Sequence, residues 1–209
     1  MNGIKPLPTG MSGFPELRES AMIYVDKTSL VARIAANRGF FFLSRPRRFG
    51  KTLLLSTFES LFRYGLRDFK GLEIEKIWDD PVTYPVIHLD FTACDLFSSI
   101  EEFKDSFDAL LRRAAAGAGL IMPAVNARQG RRNTLQCFED LLRDLKVPAV
   151  LLIDEYDHPL NKCLDNKELF EDVSGVLASF YQKSAVKPRS SARGYKAPNR
   201  GYSGFQCIV

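Results

Sequence analysis

An α/β fold with a mostly parallel sheet is predicted by three features of this 209-residue sequence. A short apolar run, Gly39-Phe-Phe-Phe-Leu-Ser44, leads through a basic loop into Gly50-Lys51-Thr52 and a helical run from Leu53 to Phe62. A second apolar run, Ala149-Val-Leu-Leu-Ile-Asp-Glu155, ends in two adjacent carboxylates. Around them, short apolar stretches alternate with stretches whose apolar residues recur at helical spacing. Strands that alternate with helices build parallel sheets covered by those helices.

In chain order, residues 1–20 carry Pro6, Pro8, Gly10, Gly13 and Pro15 and read as an irregular lead-in broken by turn formers. Met22-Ile-Tyr-Val25 is short and apolar, and Asp26 is placed to cap a helix over Ser29–Asn37, where Leu30, Val31, Ile34 and Ala35 keep helical spacing. Residues 39–44 read as a buried strand and 51–64 as a helix. Pro85 to Phe91 reads as a strand with Asp90 at its end, better taken as a plain strand terminus than as a second acid of a site. Ile100, Phe103, Phe107, Leu110 and Leu111 share one face of a helix over 99–116. Arg128 to Arg132 reads as a small solvated basic turn, and Leu135, Phe138, Leu141, Leu142 and Leu145 define a further helix. Leu169, Phe170, Val173, Val176, Leu177, Phe180 and Tyr181 define the last one, and these aromatic stripes belong to the core.

The first two features also carry chemistry. Strand, tight loop, Gly-Lys-Thr and helix is the arrangement of a phosphate-binding loop. Gly50 lets the backbone close on a phosphate, Lys51 supplies a point charge for the β- and γ-phosphates, and the Thr52 hydroxyl is a ligand for Mg²⁺. Arg47, Arg48 and Phe49 complete the loop, with the two arginines placed for phosphate contact or for a neighbouring subunit of a homo-oligomer. Arg45 stands where the G-x-x-x-x-G-K-[ST] pattern has its first glycine. The competing reading of the loop is a basic cap on a helix with Arg45, Arg47 and Arg48 merely solvated.

The run 149–155 delivers its acids at the C-terminal edge of a strand, where ligands of open α/β sheets sit. Asp154 is placed to hold Mg²⁺, directly or through water, and Glu155 to polarise a water for attack on the γ-phosphate. An ordinary strand end is the competing reading of Asp154-Glu155, and the pairing with Gly50-Lys51-Thr52 argues against it.

Composition bounds the rest. With 45% hydrophobic residues the chain supports one substantial core. No apolar run approaches the ~20 residues of a membrane span, and the first residues lack the apolar stretch of a secretory signal, so a cytoplasmic protein without membrane association is expected. Cys94, Cys137, Cys163 and Cys207 form no C-x-x-C pair, which argues against a disulfide framework or a zinc site and for reduced, mostly buried thiols. His88 and His158 are too isolated for a metal cluster. Six of the 29 basic residues fall between Lys183 and Val209 with no acidic residue among them, which leaves 23 against all 25 acidic residues before that point. The basic excess therefore belongs to the tail, and the body carries no general sign of nucleic-acid binding. Residues 184–209 have the composition of a disordered basic segment, read either as a floppy end or as an arm for an anionic partner.

Three blocks, Met22-Ile-Tyr-Val-Asp-Lys-Thr28, Phe42-Leu-Ser-Arg-Pro-Arg-Arg-Phe-Gly-Lys-Thr52 and Leu151-Leu-Ile-Asp-Glu-Tyr-Asp-His-Pro-Leu160, resemble the predicted AAA-ATPase-like family of prokaryotes, across residues 1–183. In that family the missing first glycine is usual. The resemblance implies a three-layer P-loop NTPase domain, often followed by a PD-(D/E)XK nuclease-like domain, with ATP and Mg²⁺ as ligands. It implies Lys51 and Thr52 on phosphates and Mg²⁺, Asp154 and Glu155 as the metal-binding and catalytic acids, and a fit for Asp157 without a stated role. Family members continue past the last helix into another strand, ending in a polar sensor residue and lying between the P-loop strand and the Asp-Glu strand. Here that pattern stops near Gln182, so a domain incomplete at its C-terminus is expected, with a gap in mid-sheet and a truncated or frame-shifted origin. That origin requires the family pattern to continue past Gln182 in another reading frame. The functional expectation is an ATP-binding P-loop domain, with Mg²⁺-dependent hydrolysis of ATP left open. The alternatives are a non-catalytic nucleotide-dependent regulatory module and a nucleic-acid-associated protein, the last through family association alone.

Overall fold

The computed structural model describes residues 5–37, 39–44, 46, 48–123, 133–184 and 206–208. Its centre is a parallel sheet of β1 (Phe40–Phe41), β2 (Val86–Asp90), β3 (Val150–Asp154) and β4 (Gln206–Ile208), in the order β1-β4-β3-β2. β3 pairs with β2 over its whole length, Val86 opposite Val150 through Asp90 opposite Asp154. Both faces of β2 and β3 are covered, which is why they read as apolar runs rather than as alternating patterns.

The helices divide between those faces. Val86, Val150 and Leu152 pack with α1 (Phe14–Glu19), α2 (Thr28–Ala35) and α3 (Lys51–Tyr64), through buried residues such as Phe14, Val31, Leu55 and Phe58. Ile87, Leu89, Leu151 and Ile153 point the other way, into a cluster with α4 (Ile100–Gly117), α5 (Thr134–Asp144) and α7 (Lys167–Ser184). Phe91, Phe107, Phe138 and Phe180 meet there at ring-centroid distances of 5.3 to 6.4 Å. The short α6 (His158–Lys162) follows β3. No described helix is long and apolar enough to cross a membrane. Cys94, Cys137 and Cys163 are free and buried, and burial pushes the Cys94 thiol up to about 11.

Four sequence expectations change. The lead-in contains α1: Pro15 sits in its first turn, where its missing N–H costs nothing, so it starts a helix instead of breaking one. Phe14 and Leu17 of that helix are fully buried, the Phe14 ring 4.7 Å from Phe69 and 5.2 Å from Tyr24. The strand expected over 39–44 pairs only at Phe40–Phe41. The expected mid-sheet gap is filled, because β4 lies between β1 and β3. Those three residues come from the segment read as a patternless tail. The rest of it, like Arg45, Arg47 and the basic turn 128–132, lies outside the described residues.

Two polar clusters fix elements to one another. Asp26 Oδ1 accepts from the Thr28 amide (2.8 Å) and hydroxyl (2.6 Å), and Oδ2 accepts from the Glu73 amide (2.8 Å), which ties the start of α2 to a 3-10 turn at Glu73–Lys76. On the α3 face of β2, His88 Nδ1 lies 2.8 Å from Glu59 Oε2, and Arg63 Nε lies 2.9 Å from Glu59 Oε1. Arg63 also donates to the carbonyls of Val86 and Gly117, both at 2.8 Å. α3 is thereby held to β2 and to the end of α4.

Phe14→Ala is expected to destabilise the chain by about 3–5 kcal/mol in urea melts, the cost of an emptied aromatic site that cannot collapse. Glu59→Gln is expected to cost about 1–2 kcal/mol at pH 7, the scale of a hydrogen bond to a charged group. Burial pushes the Glu59 carboxyl up, but the His88 ring, and then Arg63, outweigh it and hold it below the usual glutamate range. A depressed carboxylate contributes its full stability above its ordinary pKa and loses it as pH falls through the native one. The difference between Glu59→Gln and the parent should therefore shrink in melts taken from pH 5 downward.

Candidate active site

Gly50 precedes α3 with φ of 74°, and Arg48 two residues earlier has φ of 68°, so the loop turns twice through the left-handed region. Glycine tolerates that conformation freely, whereas Arg48 holds it at a cost. The Gly50 carbonyl accepts from the Leu54 amide at 2.9 Å, and among the described residues no side chain caps α3. The first-turn amides of a helix have no partner within it, and they carry the positive end of its dipole. Lys51 and Thr52 occupy that first turn, with the Thr52 side chain exposed.

On the other side stands the end of β3. Asp154 is buried at 5% exposure, and among the described residues its carboxylate has one hydrogen bond, accepted from the Glu155 amide at 3.0 Å. A buried carboxylate with most of its lone pairs unsatisfied is costly unless a cation or a donor completes it. Glu155 has φ of 48°, rare for a residue with a side chain, and its carbonyl accepts from the His158 amide at 2.9 Å. This tight turn takes the chain straight from the strand into α6. Asp95, in the loop after β2, braces α6 from outside through His158 Nε2 (2.9 Å) and Lys162 Nζ (2.5 Å). Hydrogen bonds from Lys162 first, and then from the His158 ring, hold the Asp95 carboxyl below its ordinary range.

Lys51, Leu43, Leu54 and Leu55 on the α3 side share one cleft with Ile153, Asp154, Glu155, Tyr156 and Asp157 from the end of β3. The structure thus brings together Lys51, Asp154 and Glu155, three of the residues singled out in the sequence. Arg48, Phe49, Gly50 and Thr52 are exposed beside the cleft and do not line it, and Arg47 lies outside the described residues. Asp90, level with Asp154 in the sheet, is occupied as a turn cap: its Oδ1 accepts from the Thr92 amide and hydroxyl at 2.9 and 2.7 Å. Among the described residues no group of three or more His, Cys, Asp or Glu side chains could hold a metal by itself. Mg²⁺ seldom needs one, since it keeps waters and takes one or two protein ligands beside phosphate oxygens. A single buried carboxylate such as Asp154 is compatible with that sparse kind of coordination.

Tyr156 is the functional neighbour that sequence reasoning missed. Its ring meets Phe42 edge to face, centroids 5.2 Å apart, and so joins the chain entering the loop to the turn after β3. Phe42 is 61% exposed, so this contact is a strap across the mouth of the site and not part of a core. Such a pair is worth about 0.5–1.5 kcal/mol. No local pattern announces a pairing between residues so far apart in sequence.

No solved structure matches the chain. It is 30% identical over 182 residues to an "Uncharacterized protein in vnfD 5'region" of Azotobacter chroococcum mcd 1, covering 85% of this chain and 34% of that protein. The chain therefore spans about a third of the length of that relative. The sequence profile described as "Predicted AAA-ATPase" matches residues 8–192, a span that takes in β1, α3, β3 and the cleft between them. By that match the chain belongs to the predicted AAA-ATPase family.

Proposed function

We propose that the chain is a three-layer P-loop NTPase domain that binds ATP with Mg²⁺ in the cleft between α3 and β3, and hydrolyses it. The observation that carries this reading is the meeting of Lys51 with Asp154 and Glu155 in one cleft, from segments separated in sequence by β2, α4 and α5. Lys51 and the first-turn amides of α3 present positive charge to a triphosphate. Thr52 and Asp154 would hold Mg²⁺, which when bound neutralises charge on the phosphate oxygens. Glu155, partly exposed in the cleft wall, takes the proton of a water that attacks the γ-phosphate in line. The apolar walls Leu43, Leu54, Leu55 and Ile153 keep bulk water from competing for the same charges. Preference for adenine rests on family membership.

One observation favours a second reading, a nucleotide-dependent module without turnover. Among the described residues Lys51 is the only basic side chain lining the cleft, and none of them is an arginine placed to stabilise charge on a transferred phosphoryl group.

Titration of a fluorescent ATP analogue in Mg²⁺ should saturate on the wild-type chain and weaken at least tenfold in Lys51→Ala, a loss of about 1.4 kcal/mol or more. A folded wild-type chain that binds no nucleotide would overturn the proposal. Glu155→Gln is expected to keep binding and to lose about 10²–10⁴-fold in phosphate release, the usual contribution of a general base. Binding without release in the wild type would select the module.

A further inference from the structure

Glu155 holds its left-handed backbone, φ 48°, in a turn closed by the His158 amide, which donates to the Glu155 carbonyl at 2.9 Å. Backbone strain of this kind persists where the surroundings over-determine it. His158 is the first residue of α6, a helix of five residues of which only Pro159 is buried. A helix so short does not sustain itself on its own hydrogen bonds. Leu160 and, just past the helix, Cys163 pack its inner side into the cluster formed with α4, α5 and α7. Apolar contact is non-directional, so it leaves the helix free to rock about that side.

The directional contacts come from the neighbouring strand. Past the end of β2, Phe91 and Cys94 are fully buried, and the Cys94 amide donates to the Phe91 carbonyl at 3.0 Å. Asp95 follows on that fixed base. Its Oδ1 meets both His158 Nε2 (2.9 Å) and Lys162 Nζ (2.5 Å), the first and last residues of α6. Residues four apart lie on one face of a helix, so a single carboxylate oxygen grips both ends of it.

We propose that Asp95 is a positioning residue for Glu155: through His158 and Lys162 it fixes α6, and with α6 the turn that sets the Glu155 carboxylate in the cleft wall. The catalytic consequence rests on the hydrolysis reading, and adds to it a carboxylate outside the residues that line the cleft. Lys51 is on another element, so the phosphate contacts do not depend on this clamp.

Hydrogen–deuterium exchange without nucleotide, read on a peptide covering 155–162 against one covering α5, is the first measurement. Phosphate release and binding of a fluorescent ATP analogue in Mg²⁺ are the second. Asp95→Ala should exchange faster over 155–162 with α5 unchanged. It should bind the analogue within about twofold of wild type and release phosphate about tenfold or more slowly, the scale of a misplaced catalytic group. A general loosening of the site would weaken binding as well. His158→Ala, which keeps the amide of the turn but not the ring, should behave alike. In a Glu155→Gln background Asp95→Ala should slow release no further, because the residue it acts through is already disabled. Unchanged exchange in Asp95→Ala would overturn the clamp. Undiminished release in Asp95→Ala or His158→Ala, or an equal loss in the Glu155→Gln background, would overturn the positioning role. A wild-type chain that releases no phosphate removes hydrolysis and the positioning role together, and exchange still decides the clamp.

Discussion

β3 is enclosed on every side. Val150 to Asp154 is buried at each position, hydrogen-bonded to β2 along one edge and to β4 along the other, with α3 above and α4, α5 and α7 around its opposite face. A strand confined in this way cannot slip by a single residue without turning Leu151 and Ile153 toward the wrong layer. Its last residue is therefore delivered to one place. That place holds a buried carboxylate which, among the described residues, accepts one hydrogen bond.

Strain and stability are distributed accordingly. Left-handed backbone at Arg48 and Glu155 and the buried Asp154 each cost free energy at the mouth of the cleft. The offsetting burial lies deeper, in the two layers on either side of the sheet, where Phe14, Phe58, Phe91, Phe103, Phe138 and Phe180 are fully enclosed. The cleft is bordered by chain that the core does not immobilise: an exposed loop, the Phe42–Tyr156 contact and α6 held by the exposed Asp95. Such a border suits a site that must admit and release a ligand.

What could be read in advance follows from the range of the forces involved. Helix α3 runs over the expected 51–64 because Gly50 and Gly65 punctuate a well-spaced apolar face. β3 ends at the expected Asp154 because burial on both faces leaves an uninterrupted apolar run before it. That Lys51 and the Asp154–Glu155 pair would be neighbours was legible because phosphate chemistry asks for those residue types in those local settings, and they line one cleft. α1 was hidden by Pro15, whose meaning reverses between the first turn and the interior of a helix. β1 proved shorter than its apolar run, since a strand extends only as far as its neighbour pairs with it, and that neighbour has three residues. β4 left no trace, because three residues amid Gly, Ser, Pro and Arg have no period to detect. The Phe42–Tyr156 contact depends wholly on tertiary geometry.

The central claim is that the first turn of α3 and the end of β3 form one triphosphate site. An acyl-phosphate derivative of ATP, which transfers its acyl group to an amine beside the bound phosphates, tests this directly when the modified lysine is located by mass spectrometry. Modification concentrated on Lys51 and suppressed by excess ATP is the predicted result. Modification spread over surface lysines and indifferent to ATP would contradict it.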